Sequence, residues 1–113
     1  MTKFETSFEQ LKLELGDFLL AIQTVRKVDA AAFQRIDREA TVLAHALKGQ
    51  ALIPKSLLNE LYKASKILRA EAPYIEDRQG DLEAMADTLE TTFDLILAGE
   101  SPDDRLPGVP RII

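Results

Sequence analysis

Residues 4–25, FETSFEQLKLELGDFLLAIQTV, carry an apolar side chain at every third or fourth position. These positions are Phe4, Phe8, Leu11, Leu15, Phe18, Ile22 and Val25. Such spacing keeps one side of an α-helix apolar, because the helix completes a turn every 3.6 residues. Thr2 and Glu5 have the spacing of a capping box, which places the start of the helix at or near Thr2. The pattern therefore predicts a long first helix that ends near Val28.

A second segment repeats this pattern after Asp29. Its apolar positions are Phe33, Ile36, Ala40, Leu43 and Leu47. Asp29 suits the N-cap position, because a short carboxylate can accept hydrogen bonds from the free N–H groups of the next turn. We expect this second helix to continue to about Gln50 or Ile53.

Two further helices are predicted in the second half of the chain. Pro54 marks the start of the third, since proline fits the first helical turn and the residue before it resists helix. The fourth begins either at Pro73 or only at Asp81. Gly99 is expected to end it in the left-handed conformation that glycine adopts without steric cost. Their apolar stripes are Leu57, Leu61, Ala64 and Leu68 in the third helix, and Leu82, Ala86, Leu89, Phe93 and Ile96 in the fourth.

Four amphipathic helices with short connections predict an all-α fold, an antiparallel four-helix bundle. Each apolar stripe is too narrow to be buried on all sides, so it must pack against another helix. We assign the bundle to residues 1–99. Residues 100–113 contain three prolines and one glycine and no helical pattern, so they are predicted to form an extended tail.

The composition excludes several classes of function. The chain has no cysteine, which rules out disulfides, thiolate metal sites and thiol nucleophiles. It has one histidine, so a multi-histidine metal site within one chain is impossible, and no metal is predicted. The net charge of −5 argues against nucleic acid as a partner. No apolar run has the length of a membrane span, and the N-terminus lacks a signal-peptide core, so the default location is the cytoplasm.

The single histidine, His45, lies near the end of the second predicted helix. It is two residues from both Leu43 and Leu47, or roughly 200° around the helix axis from each. If the two leucines point into the core, His45 faces solvent. Imidazole is the side chain whose ordinary titration lies nearest to neutral pH, so an exposed one can act as an uncharged nucleophile.

The neighbours of His45 on this side of the helix are Lys48 and Gly49 one turn later and Thr41 and Arg38 earlier. Lys48 would supply a cation, and Gly49 would leave the surface beside the ring open. A purely structural interpretation also exists. An exposed histidine is often incidental, Gly49 would suit a helix C-cap, and Lys48 would complement the helix dipole there.

Residues 44–49, AHALKG, resemble the signature A-H-x-L-K-G of histidine-containing phosphotransfer domains. Members of that family are four-helix bundles of about this length, with the histidine exposed on the second helix. The resemblance implies that His45 accepts a phosphoryl group, that Lys48 steadies the phosphoryl oxygens and that Gly49 permits close approach of the partner.

The resemblance also implies the partners. The protein would shuttle a phosphoryl group in a multistep phosphorelay, between His45 and the aspartates of response-regulator receiver domains, downstream of a hybrid kinase. It would need no cofactor of its own, because the magnesium ion would be bound by the receiver, and it would have no autonomous kinase activity. We expect a monomer rather than a dimer. Its docking patch would include Arg38, Thr41 and Leu52, with Leu52 two turns beyond His45 on the same helical face.

Two alternatives use the same helices differently. The first is a helical adaptor, or a protein like an export chaperone, that binds partner helices through its apolar faces. The second is a degenerate phosphotransfer domain that docks a receiver without accepting phosphate. A buried His45 would favour the adaptor over the phosphorelay protein.

Overall fold

The computed structural model describes residues 3–102, and in this range it contains helices and no β-strand. The four α-helices are α1 (Lys3–Val25), α2 (Ala30–Leu47), α3 (Lys55–Glu71) and α4 (Gln79–Ala98). Two short 3-10 helices, Ala72–Tyr74 and Glu76–Arg78, connect α3 to α4. The predicted all-α class is confirmed. No helix in this range is both long enough and apolar enough to cross a membrane.

The apolar stripes of all four helices contribute to one buried core. Helix α1 packs against α2 and α3, and α4 packs against the same two helices. Burying one leucine side chain stabilises a fold by about 1.5–3 kcal/mol, so this shared core is the main reason the helices stay together. The fully buried large side chains are Leu11, Leu15, Ile22, Ile36, Leu43, Leu57, Leu61, Leu68, Leu82, Leu89 and Ile96.

Helix α1 ends at Val25, earlier than the predicted end near Val28. The cause is Arg26, which adopts a left-handed backbone with φ 56°. A non-glycine residue pays roughly 1–2 kcal/mol for that conformation. Its guanidinium partly offsets the cost by donating a hydrogen bond of 3.3 Å to the carbonyl oxygen of Tyr74. The N–H of Lys27 donates to the carbonyl oxygen of Ala21 at 3.1 Å, so the end of α1 is closed by local backbone bonds, and the Arg26 side chain adds a contact with a distant segment.

The start of α2 is confirmed. The Asp29 carboxylate accepts a hydrogen bond from the backbone N–H of Ala32, with an N–O distance of 3.0 Å. The predicted end of α2 at Gln50 or Ile53 is wrong, because the helix stops at Leu47.

The boundaries of α3 and α4 agree better with the sequence. Pro54 is the N-cap of α3. Helix α4 begins close to Asp81, the later of the two predicted starts, since residues 72–78 form the 3-10 turns. Gly99 is left-handed with φ 73°, and the N–H of Glu100 donates to the carbonyl of Leu95 at 2.9 Å. The predicted glycine C-cap is therefore confirmed.

Two predictions fall largely outside the described residues. The proposed N-terminal cap at Thr2 is one. The other is the extended tail, of which only Glu100, Ser101 and Pro102 are described. Ser101 is buried, with 1% of its surface exposed, so the chain still contacts the core directly after α4.

Candidate functional site

His45 lies in the last turn of α2 with its side chain exposed to solvent. The flanking Leu43 and Leu47 are both buried in the core. The orientation predicted from the helical spacing is therefore confirmed. The burial of His45 that would have favoured an adaptor function is not observed.

The side of α2 around His45 is polar with one apolar residue. Arg38 is exposed and Thr41 is half-buried. Val42 lies one turn before His45 and is 39% exposed, an apolar neighbour that the sequence reasoning did not single out. The predicted contact residues Arg38 and Thr41 therefore lie on the same helix as His45 and toward the same side.

Two carboxylates, Asp37 and Glu39, lie nearby on α2, and both are half-buried. Burial raises the pKa of Asp37 above its ordinary value of 3.8, since desolvation disfavours the charged form. Neither carboxylate occupies a position one turn from His45, so neither is assigned a role in orienting the imidazole.

Lys48 is the residue at which the chain leaves α2. Its φ and ψ are −55° and 127°, so the backbone turns from helical to extended there. Its N–H still donates to the carbonyl oxygen of His45, with an N–O distance of 3.3 Å. The backbones of the two residues that would carry the chemistry are thus directly hydrogen-bonded, and both side chains are exposed.

Gly49 has a left-handed backbone with φ 75°. Its N–H donates to the carbonyl oxygen of Gly99 at 3.0 Å, and the N–H of Gln50 donates to the carbonyl of Leu47 at 2.9 Å. These bonds close the end of α2 and explain why the helix does not reach Gln50 or Ile53. A Cβ atom at position 49 would meet no atom within 4 Å. The backbone conformation therefore favours glycine here, and the adjacent space is open.

Gly99 meets Gly49 from the end of α4. A Cβ atom added to Gly99 would lie 3.8 Å from the backbone nitrogen of Gly49. We call this pairing, with its hydrogen bond, the Gly49–Gly99 contact. It brings the C-terminal ends of α2 and α4 together. Both ends carry partial negative charge, so a cation such as Lys48 is favourably placed beside them.

Leu52 does not lie on the face of α2 that carries His45. The predicted position, two turns beyond His45, required α2 to continue, and α2 ends at Leu47. Leu52 lies instead in the connection to α3, where 89% of its surface is exposed. The structure thus keeps Arg38, Thr41 and His45 on one helix and places Leu52 in the loop that follows.

No family model, curated protein or solved structure matches this chain. Among residues 3–102, no group of three or more His, Asp and Glu side chains is close enough together to hold a metal ion. His45 and the residues around it are therefore the part of the described chain that points to a function.

Proposed function

We propose that this protein is a histidine phosphotransfer protein of a cytoplasmic multistep phosphorelay. His45 accepts a phosphoryl group from the aspartyl phosphate of a receiver domain and passes it to another receiver. The observation that carries the proposal is the exposed imidazole at the end of α2, with Lys48 beside it, within the sequence AHALKG.

The transfer needs little beyond positioning. An uncharged imidazole nitrogen of His45 attacks the phosphorus atom, a P–N bond forms, and the P–O bond to the aspartate breaks. The aspartate leaves as a carboxylate, and the reverse reaction returns the group to a receiver. Phosphoryl transfer of this kind is accelerated by alignment and by charge stabilisation. The magnesium ion belongs to the receiver, so His45 supplies the nucleophile and Lys48 the charge.

Lys48 offsets an electrostatic repulsion at this position. The C-terminal ends of α2 and α4 each disfavour a nearby anion by about 0.3–1 kcal/mol. A phosphoryl group on His45 carries negative charge and would lie beside these ends. The Lys48 ammonium offsets that repulsion, and Arg38 provides a second cation two turns earlier on the same side of α2.

In this proposal the four helices form an antiparallel bundle, and the bundle holds the end of α2 that carries His45. The rings of Tyr62 and Phe93 have centroids 6.4 Å apart, and Arg69 bonds Asp87 at 2.6 Å. Residue numbers thus rise along α3 as they fall along α4, which favours an antiparallel pair. The Gly49–Gly99 contact brings the ends of α2 and α4 together, as alternating helix directions require.

The receiver docks on the exposed side of α2 in this proposal. Arg38 and Thr41 offer polar contacts, and Val42 offers an apolar one next to His45. Leu52, which is almost fully exposed, supplies an apolar contact from the following loop. A single chain presents all of these groups, so a monomer suffices for docking.

A second candidate function is partner binding without phosphoryl transfer. It is favoured by a separate observation on α1, where Leu13 and Leu20 are exposed large apolar side chains seven residues apart. That spacing puts them on one side of α1, away from the core. An adaptor would use this side, and His45 would then be dispensable.

One experiment distinguishes the two candidate functions. The purified chain is incubated with a labelled, phosphorylated receiver domain from the same organism. The phosphorelay proposal expects acid-labile, base-stable label on the wild type and none on His45→Gln. In a matched control, His45→Gln is combined with Ala46→His, which moves the imidazole to the neighbouring exposed position and should not restore labelling. Absence of label on the wild type with every receiver would favour the adaptor.

Lys48 is tested by the rate of the same transfer. Lys48→Ala should slow it at least several-fold, because the phosphoryl charge loses its nearest cation, whereas Lys48→Arg should retain most of the rate. Lys63→Ala, at an exposed lysine on α3, controls for the loss of one surface charge. Equal rates for Lys48→Ala and Lys63→Ala would remove Lys48 from the mechanism.

A further inference from the structure

The turn after α2 depends on a residue of another helix. Three successive N–H groups follow the helix, those of Lys48, Gly49 and Gln50. The first donates to the carbonyl of His45 and the third to the carbonyl of Leu47, both in the same helix end. The N–H of Gly49 donates to the carbonyl oxygen of Gly99, which belongs to the end of α4. One of the three bonds is therefore tertiary.

The end of α4 is built so that this acceptor is available. The N–H of Gly99 bonds the carbonyl of Ile96 at 3.1 Å, and the N–H of Glu100 bonds that of Leu95 at 2.9 Å. These bonds satisfy the last turn of α4 and hold Gly99 in its left-handed conformation. The carbonyl oxygen of Gly99 then lies within 3.0 Å of the Gly49 nitrogen.

Gly99 matters through its backbone. An L-residue is strained in the left-handed conformation, and leaving that conformation would rotate the adjoining carbonyl. The Gly49 N–H would then lose its acceptor. Lys48 directly precedes Gly49, so one of the three bonds that hold it relative to the imidazole would be lost.

We infer that Gly99 is a positioning residue of the His45 site, acting through the Gly49–Gly99 contact on the relative placement of Lys48 and His45. This inference depends on the proposed phosphoryl transfer for its function. It assigns to the end of α4 a role that the contiguous AHALKG sequence does not contain. The partner in this role is a backbone carbonyl, so a side chain change elsewhere on α4 should not reproduce the effect.

The test compares three variants in the full chain. Gly99→Ala strains the left-handed conformation. Gly99→Asn is the rescue variant, because asparagine adopts that conformation more readily than other non-glycine residues. Gly80→Ala is the matched control, since Gly80 lies within α4, has no left-handed φ and has no atom within 4 Å of an added Cβ. Thermal melts confirm that all three are folded at the assay temperature.

Two measurements are made on each variant. The first is hydrogen exchange of the Gly49 amide by NMR. The second is phosphorylation of His45 by phosphoramidate, a small donor that needs no receiver, followed as a function of donor concentration. For Gly99→Ala we expect Gly49 exchange to accelerate roughly 5- to 30-fold, the range that 1–2 kcal/mol gives. The maximal phosphorylation rate should fall several-fold with little change in the half-saturating donor concentration. Gly99→Asn should restore most of the slow Gly49 exchange and most of the phosphorylation rate. Gly80→Ala should leave both at their wild-type values.

The outcomes separate the inference from the proposed function. Unchanged Gly49 exchange in Gly99→Ala would overturn the inference at its structural step. Faster exchange with an unchanged phosphorylation rate would overturn the positioning role, leaving Gly99 as a helix cap only. In both cases the wild type would still be labelled on His45. A wild type that takes no label from phosphoramidate or from any receiver would instead refute the proposed function itself.

Discussion

The two ends of α2 are closed in different ways. At the start, the Asp29 carboxylate accepts a hydrogen bond from the N–H of Ala32, three residues further on. At the other end, the Gly49 N–H donates to the carbonyl of Gly99, at the end of α4. The first closure is entirely local, whereas the second combines two local bonds with this tertiary one. A local closure can form in an isolated helix, whereas a tertiary closure forms only when the helices have packed.

The difference bears on function because the candidate site lies at the tertiary end. His45 and Lys48 are close in sequence, and their backbones are hydrogen-bonded to each other. The turn that contains Lys48 is nevertheless completed by α4. The geometry of the site is therefore a property of the folded protein, and disturbing α4 should alter it while leaving the start of α2 intact.

The largest effect on the free energy of unfolding is expected at the C-terminal end of α2, where the tertiary bond to Gly99 lies. Gly49→Ala should lower the free energy of unfolding by about 1–2 kcal/mol, because alanine is strained at a φ of 75° even though no atom crowds its Cβ. Urea denaturation followed by circular dichroism measures the change. Gly16→Ala is the control, since Gly16 lies within α1 with open space around it. That variant should gain about 0.5–1 kcal/mol. A Gly49→Ala protein as stable as the wild type would mean that the left-handed turn does not form.

A smaller effect is expected at the local end. Asp29→Ala removes the acceptor for the Ala32 N–H and should cost about 1 kcal/mol in the same denaturation assay. Asp29→Asn keeps an oxygen acceptor at the same place and should cost much less. Because the cap bond at this end does not involve α4, Gly49 amide exchange should be affected only as far as global stability falls. If Asp29→Ala accelerated hydrogen exchange at Gly49 more than at other amides, the two ends of α2 would be coupled, and the distinction between them would be wrong.

The same distinction explains which parts of the fold could be predicted. The apolar stripes, the cap at Asp29 and the glycine end of α4 each depend on residues within a few positions of one another. Amphipathic spacing and capping chemistry are therefore enough to predict them. The early end of α1 depends on the left-handed backbone of Arg26, and arginine, unlike glycine, does not indicate that conformation in a sequence.

The candidate site divides in the same way. Helical spacing predicted that Leu43 and Leu47 are buried and that His45 is exposed. Gly49 and Gly99 were each recognised as suited to a helix end, yet their pairing required the packing of α2 against α4. Leu52 lies off the His45 face for the same reason, because the turn at Gly49 ends α2 before residue 52. The roles of His45 and Lys48 themselves stay predictions until transfer is measured.

The smallest effect on the free energy of unfolding is expected from Asp37, which lies in the middle of α2, away from both of its ends. Burial raises its pKa above 3.8, so its charged form is less favourable in the folded protein than in the unfolded chain. Below its unfolded pKa the residue is neutral in both states and costs nothing. As the pH rises through its raised folded pKa, the folded state loses stability by the cost of burying the charge, and the loss then stays constant.

Asp37→Asn removes this titration while keeping the shape of the side chain. Its free energy of unfolding should equal that of the wild type, apart from a constant offset, at the acidic end of the range. The difference should grow in favour of the variant as the pH rises through the raised pKa of Asp37 and stay constant above it. Urea midpoints measured over that range for the variant and the wild type give the difference directly, with the other carboxylates cancelling. A difference that is flat with pH would mean that Asp37 is not desolvated. A difference of the opposite sign would mean that a cation near Asp37 lowers its pKa, and Arg38 would then be the first residue to test.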